Sequence, residues 1–157
     1  MGVLAGSAKM SRSRYGLTGA GEWHQLEPLF QPLFGKTVLD LGCGYGWHCK
    51  YAADHEARSV LGIDQSVMMI DEAKRRNAAA NIEYRVCSVQ DYEYPAEKYD
   101  LVISNLVLHY IEDLHAVYKL IYRTLKVGGV FLFNIEHPVF TAGVNQQFEP
   151  DGTWPVT

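Results

Sequence analysis

The densest chemistry in the chain lies in one heptad, Asp40-Leu41-Gly42-Cys43-Gly44-Tyr45-Gly46. Three glycines at alternate positions, directly after an apolar run, allow a tight turn. They also let a ligand approach the backbone at the positive end of a following helix. A second acid, Asp64, closes the next apolar run in Gly62-Ile63-Asp64. A carboxylate at that spacing can accept hydrogen bonds from both hydroxyls of a ribose. Loop and acid together specify an adenosine-containing cofactor. A plain strand-to-helix turn, with Asp40 capping the helix, is the structural alternative.

Two residues bear on which cofactor that is. The dinucleotide fingerprint G-x-G-x-x-G needs glycine at position 47, where this chain has Trp47. Asp40, two residues before the first glycine, would repel a pyrophosphate and suits a cationic group instead. S-adenosylmethionine has no phosphate and carries an ammonium and a sulfonium, so it fits Asp40 better than NAD does. Asp64 serves either ligand and disfavours NADP. An NAD-dependent oxidoreductase therefore stands as the lesser alternative, beside a cofactor-binding but catalytically silent domain or fragment.

The elements that must position these residues follow from hydrophobic periodicity. Thr37-Val38-Leu39-Asp40-Leu41 reads as a strand buried on both faces, followed after the glycines by a helix through about His55. Residues 59–63 form a second strand, and Ser66 caps a helix to about Asn77 with Met69, Ile70 and Ala73 on one face. Third and fourth strands are expected over 82–87 and 99–104. A helix over 113–126 carries Leu114, Val117, Ile121 and Leu125 at helical spacing, and Gly128-Gly129 ends it before a fifth strand over 130–135. Strands alternating with helices imply parallel pairing through right-handed crossovers. The fold class is thus a doubly wound α/β sheet with ligands at the carboxyl ends of its strands.

Composition narrows the function classes. The chain has 157 residues, 14 basic and 18 acidic, for a formal charge of −4, with no basic stripe. Nucleic-acid binding driven by phosphate contacts is not expected. No apolar run approaches the roughly 20 residues of a membrane span. Cys43, Cys49 and Cys87 form no C-x-x-C pair, which reads as reduced thiols in a cytoplasmic protein. The first nine residues do not resemble a secretory signal.

The segment 38–46 resembles motif I of the class I S-adenosylmethionine-dependent methyltransferases. Leu61-Gly62-Ile63-Asp64-Gln65-Ser66, with Met69 behind it, is similar to the family's second-strand motif. Residues 99–104 through Leu108-His109-Tyr110-Ile111 resemble the fourth-strand segment of the type 11, ubiquinone-biosynthesis-like branch, and Leu125-Lys126-Val127-Gly128-Gly129 its turn into strand five. The resemblance covers about 35–136. It implies a three-layer αβα, Rossmann-like fold with strand order 3-2-1-4-5. It further implies that Asp40, Gly42, Cys43, Gly44 and Gly46 hold the methionine end, and that Asp64 binds the ribose. Gln65 and Met69 would lie beside the adenine, and Asn105 and Leu106 would line the methyl side. The family's acid after strand three falls here on Ser88, so either Ser88, Val89 and Gln90 meet the adenine or Asp91 reaches in.

The implied division is an N-terminal helical lid or arm over 1–34, a cofactor-binding domain over 35–137 and an irregular tail over 138–157. Tyr15, Glu22 and Trp23 would form the lid, or else a packed N-terminal helix. The family fold continues with another helix and two strands. The expectation is therefore a chain truncated after strand five, or one that pairs its strand-five edge with a second copy. Methyl transfer needs alignment and exclusion of water, and a base only where the acceptor holds a proton tightly. His109 and His137 are the base candidates, with His48 behind them, and each is equally at home as a structural or surface histidine. Asn105 is followed by Leu106-Val107-Leu108 rather than the Pro-Pro-aromatic stretch of amino-methylating nucleic-acid enzymes, and no acid pair marks a metal site. A small, partly apolar acceptor is the expectation.

Overall fold

The computed structural model describes residues 15–137. Strand β1, Thr37–Leu41, is buried from Val38 onward. Alternation sends Val38 and Asp40 to one face and Leu39 and Leu41 to the other, so both faces need cover. Strands β2 (Ser59–Asp64), β3 (Ile82–Val86), β4 (Tyr99–Asn105) and β5 (Leu125–Asn134) join it in one sheet of order β3-β2-β1-β4-β5. Every pair is parallel, as the crossover argument requires. The register aligns Leu41 with Ile63 and Ser104, Asp64 with Val86, and Asn105 with Asn134. The carboxyl ends of all five strands thus meet along one rim.

One face is covered by three elements. A single helical turn α1 (Trp23–Leu26) lies in the N-terminal arm, and α2 (Trp47–Asp54) and α3 (Val67–Arg76) follow β1 and β2. Cys49 and Ala52 of α2, Ile70 and Ala73 of α3, and Trp23, Leu26 and Leu33 of the arm pack with Val38, Val60, Leu101 and Ile103. The Trp23 ring meets Tyr51 edge-on at 4.9 Å and lies 5.7 Å from Phe30 and from His48. Residues 15–34 are therefore fixed to the domain through α2. Helix α4 (Leu114–Thr124) covers the opposite face through Val117 and Ile121, against Leu39, Val102 and the buried Tyr92 and Tyr94 of the β3–β4 connection.

The end of α4 corrects the sequence reading. The helix stops at Thr124, and Leu125 already has extended backbone. Gly128-Gly129 lies inside β5, where Tyr99 pairs with Leu125 but Leu101 pairs with Val130. The glycines lie where the strand's register shifts. A Cβ on Gly129 would stand 2.9 Å from the Lys126 carbonyl oxygen. Tertiary contacts end the helix earlier, because the Arg123 guanidinium donates to the carbonyls of Glu93 and Tyr94 at 2.8 and 2.9 Å. Among the described residues the outer edge of β5 has no strand partner, and Val127 and Phe133 of the strand and Ile135 just past it are exposed. No described helix is long and apolar enough to cross a membrane.

Candidate functional site

The glycine loop joins β1 to α2 at the rim. Its Cys43 N–H donates to the Ile63 carbonyl at 2.9 Å, which ties the loop to β2. Gly42 and Gly44 have φ of +71° and +53°, left-handed backbone that other residues adopt at a cost. Their surroundings differ. A Cβ on Gly42 would stand 2.3 Å from Val107 Cγ2, whereas one on Gly44 would meet nothing within 4 Å. Gly42 is thus a packing glycine beneath the β4 loop, and Gly44 is the point left open to a ligand. Directly after the loop, the indole N–H of Trp47 is shut off from solvent and has no hydrogen-bond partner. An unspent donor of that kind is costly unless a ligand takes it up.

Asp64 faces this loop from the end of β2. Its Oδ2 accepts from the Gly44 N–H at 3.0 Å and its Oδ1 from the Ser66 N–H at 2.9 Å. Ser66 in turn caps α3, its Oγ accepting from the Met69 N–H at 3.3 Å. The carboxylate is pinned by both neighbours, yet each oxygen keeps a free lone pair toward the cleft. That cleft, about 210 Å³, runs from Gly42, Asp64 and Gln65 past Cys87, Ser88, Val89 and Gln90 to the segment after β4. Ser88 and Asp91 are each other's partners, with Ser88 Oγ 2.7 Å from Asp91 Oδ2. Ser88, Val89 and Gln90 stand on the wall and Asp91 does not.

The far wall was missed in the sequence apart from Leu106. Val107, Tyr110 and Ile111 line it as well. Leu106 has φ +59°, and its N–H donates to the Asn134 carbonyl at 2.8 Å. This left-handed turn without glycine swings the chain back over Gly42. The 3-10 turn Leu108–Tyr110 then buries Leu108 and exposes Tyr110. An apolar run after a strand was the available signal, and it does not distinguish wall from core.

Several expected site residues lie off the wall. Asp40 is 1% exposed and sits beneath the loop, where the Cys49 thiol donates to its Oδ2 at 3.4 Å. Burial pushes its carboxyl up to about 7, with the Cys49 hydrogen bond opposing and the nearby Asp64 charge adding to the rise. Cys43 and Cys49 crowd Gly62, where a Cβ would stand 3.0 and 2.7 Å from their sulfurs. Asn105 spends its amide along the rim: its Nδ2 donates to Glu22 Oε1 at 3.1 Å, and its Oδ1 accepts from Asn134 Nδ2 at 3.0 Å. That contact brings Glu22 of the arm to the β4 end of the cleft.

Of the histidines, His48 is buried between Trp23 and Phe30 and serves the core. His137 is exposed at the end of the described residues. His109 lies on the 3-10 turn after β4, beside Tyr110. Among the described residues no group of His, Cys, Asp or Glu could hold a metal ion.

Relatives of the chain give its class. The profile of the family described as "Methyltransferase domain" matches residues 39–133. The chain belongs to this family, the class I S-adenosylmethionine-dependent methyltransferases. It superimposes, with a TM-score of 0.81 and 44% identity, on a Listeria monocytogenes protein provisionally assigned as such a methyltransferase, covering 87% of this chain and 67% of that one. Phosphoethanolamine N-methyltransferase 2 of Haemonchus contortus, solved with S-adenosyl-L-methionine, matches with a TM-score of 0.65 and 27% identity over 85% of this chain and 36% of its own. The malonyl-[acyl-carrier protein] O-methyltransferase of Salmonella typhimurium is 29% identical over 134 residues, 83% of this chain and 52% of that enzyme. The chain spans about half or less of the length of the curated relatives it matches.

Proposed function

We propose that this protein binds S-adenosylmethionine and transfers its methyl group to a small, partly apolar acceptor. The observation that carries the reading is the Asp64 carboxylate on the cleft wall, pinned by the N–H of Gly44, whose own Cβ position is open. When bound, the cofactor supplies a methyl carbon activated by the adjoining sulfonium. Asp64 accepts the ribose hydroxyls, while Gln65, Met69, Ser88, Val89 and Gln90 surround the adenine. Gly42, Cys43, Gly44 and Gly46 carry the methionine end. Asp40 supplies negative charge beneath the loop for the ammonium. Asn105 and Leu106 flank the methyl side, and the apolar Val107, Tyr110 and Ile111 exclude water from it.

The relatives' acceptors, one an amine and one a carboxyl compound by name, support a small or carrier-borne acceptor without choosing between them. Cytoplasmic location and pairing of the β5 edge with a second copy belong to the same reading. Incubation with methyl-labelled S-adenosylmethionine and a panel of small alcohols, phenols, amines and carboxylates tests it. Label is expected in at least one acceptor, with S-adenosylhomocysteine released in equal amount. Cofactor binding without transfer to any acceptor would favour a silent binding domain.

A further inference from the structure

The corner beyond the ends of β4 and β5 holds a side chain whose polar atoms have no partner. The His109 side chain is 16% exposed, and neither Nδ1 nor Nε2 has solvent contact or a hydrogen bond. A native fold keeps such nitrogens where a ligand or a small closure satisfies them. Glu136, two residues past β5, holds Oε2 3.9 Å from His109 Nε2. That is too long for a hydrogen bond, and catalytic contacts in ligand-free enzymes are often loose until the complex forms. Tyr110, whose ring centre lies 4.1 Å from the imidazole, lines the cofactor cleft, so His109 adjoins a residue of the cleft wall. The other titratable groups at this corner are Tyr110, Glu112 and Asp113 on its own segment, His137 beside Glu136, and Glu22 of the arm, bonded to Asn105.

We propose that Glu136 is a positioning residue that orients His109 as the general base of methyl transfer, and that the acceptor attacks through a hydroxyl oxygen. The inference rests on the methyltransferase reading. A carboxylate on one ring nitrogen fixes the proton there and leaves the other nitrogen free to accept one. A neutral amine attacks without prior deprotonation and a thiol ionises readily, whereas a hydroxyl holds its proton and gains from a base. In the step, the hydroxyl oxygen forms a bond to the methyl carbon as the carbon–sulfur bond breaks with its electron pair left on sulfur. The hydroxyl proton passes to the free nitrogen of His109, and Glu136 stabilises the imidazolium.

The test uses the full chain, labelled with ¹⁵N-histidine and saturated with S-adenosylhomocysteine, with the His109 signals assigned by their loss in His109→Gln. The expected result is a single neutral tautomer with the proton on Nε2, replaced by a mixture of tautomers in Glu136→Ala. The same tautomer state in both proteins overturns the proposal, whatever acceptor is found. In the labelled-methyl assay, transfer to phenols or alcohols is expected. His109→Gln should lower kcat about 100-fold and flatten the acidic limb of the pH profile. Glu136→Ala should lower it less, and in both variants KM for S-adenosylmethionine stays within about twofold of wild type. Wild-type kcat in His109→Gln, or transfer confined to amines or thiols, also overturns it. Failure of S-adenosylhomocysteine to bind would instead overturn the underlying reading.

Discussion

Asp40 has a charge state near neutral pH that is set by its surroundings. Buried beneath the loop, it keeps its proton to about pH 7, whereas an unfolded aspartate loses its proton near the ordinary carboxylate value. Between those two values the folded chain binds more protons than the unfolded one, so stability falls as pH rises through the window. Asp40→Asn removes this term, and its melting temperature should fall less than that of wild type between about pH 5 and pH 8. Equal slopes in circular dichroism melts would contradict the assignment. A bound ammonium favours the ionised carboxylate, so cofactor affinity should rise with pH up to about 7 and level off. Asp64 was legible as a wall residue from its strand end and spacing, and Gln65, Ser88, Val89 and Gln90 from the family resemblance carried onto the strand ends. Tyr110 and Ile111 were not, because they reach the wall through a left-handed turn at Leu106 that no glycine announces.

The first four strands and the two crossover helices after β1 and β2 could be read almost to the residue, since local signals govern them. Strand β5 instead begins at Leu125, five residues before the expected 130. Ser66 caps α3 as its type and position suggest. The end of α4 could not, because Arg123 is held by carbonyls about thirty positions earlier in the chain. The Gly128-Gly129 signal was real, but it belongs to a strand irregularity. Strand β5 carries the element-scale prediction. Its outer edge is unpaired among the described residues, and Val127 and Phe133 of the strand and Ile135 just past it are exposed. Such edges pair with another chain unless they are covered. Light scattering is expected to give a dimer mass, reduced toward the monomer by a proline substitution at Phe133. A monomer at all concentrations, with the sheet intact, would contradict the edge-pairing reading.

At the scale of the molecule, the parallel sheet is what turns scattered motifs into one site. It brings Leu41, Asp64, Val86, Asn105 and Asn134 to a common rim, although up to 93 positions separate them in the sequence. In the proposed reading Asp64 serves the adenosine end and the glycine loop the methionine end, with the turn after β4 on the methyl side, while the arm bonds to the rim through Glu22. Cofactor identity is the claim on which the rest depends. Calorimetric titration of the chain with S-adenosylmethionine and, separately, with NAD tests it most directly. Saturable one-site binding of S-adenosylmethionine is expected, lost in Asp64→Ala, with no heat of binding from NAD. Binding of NAD alone, or S-adenosylmethionine affinity unchanged in Asp64→Ala, would contradict the account.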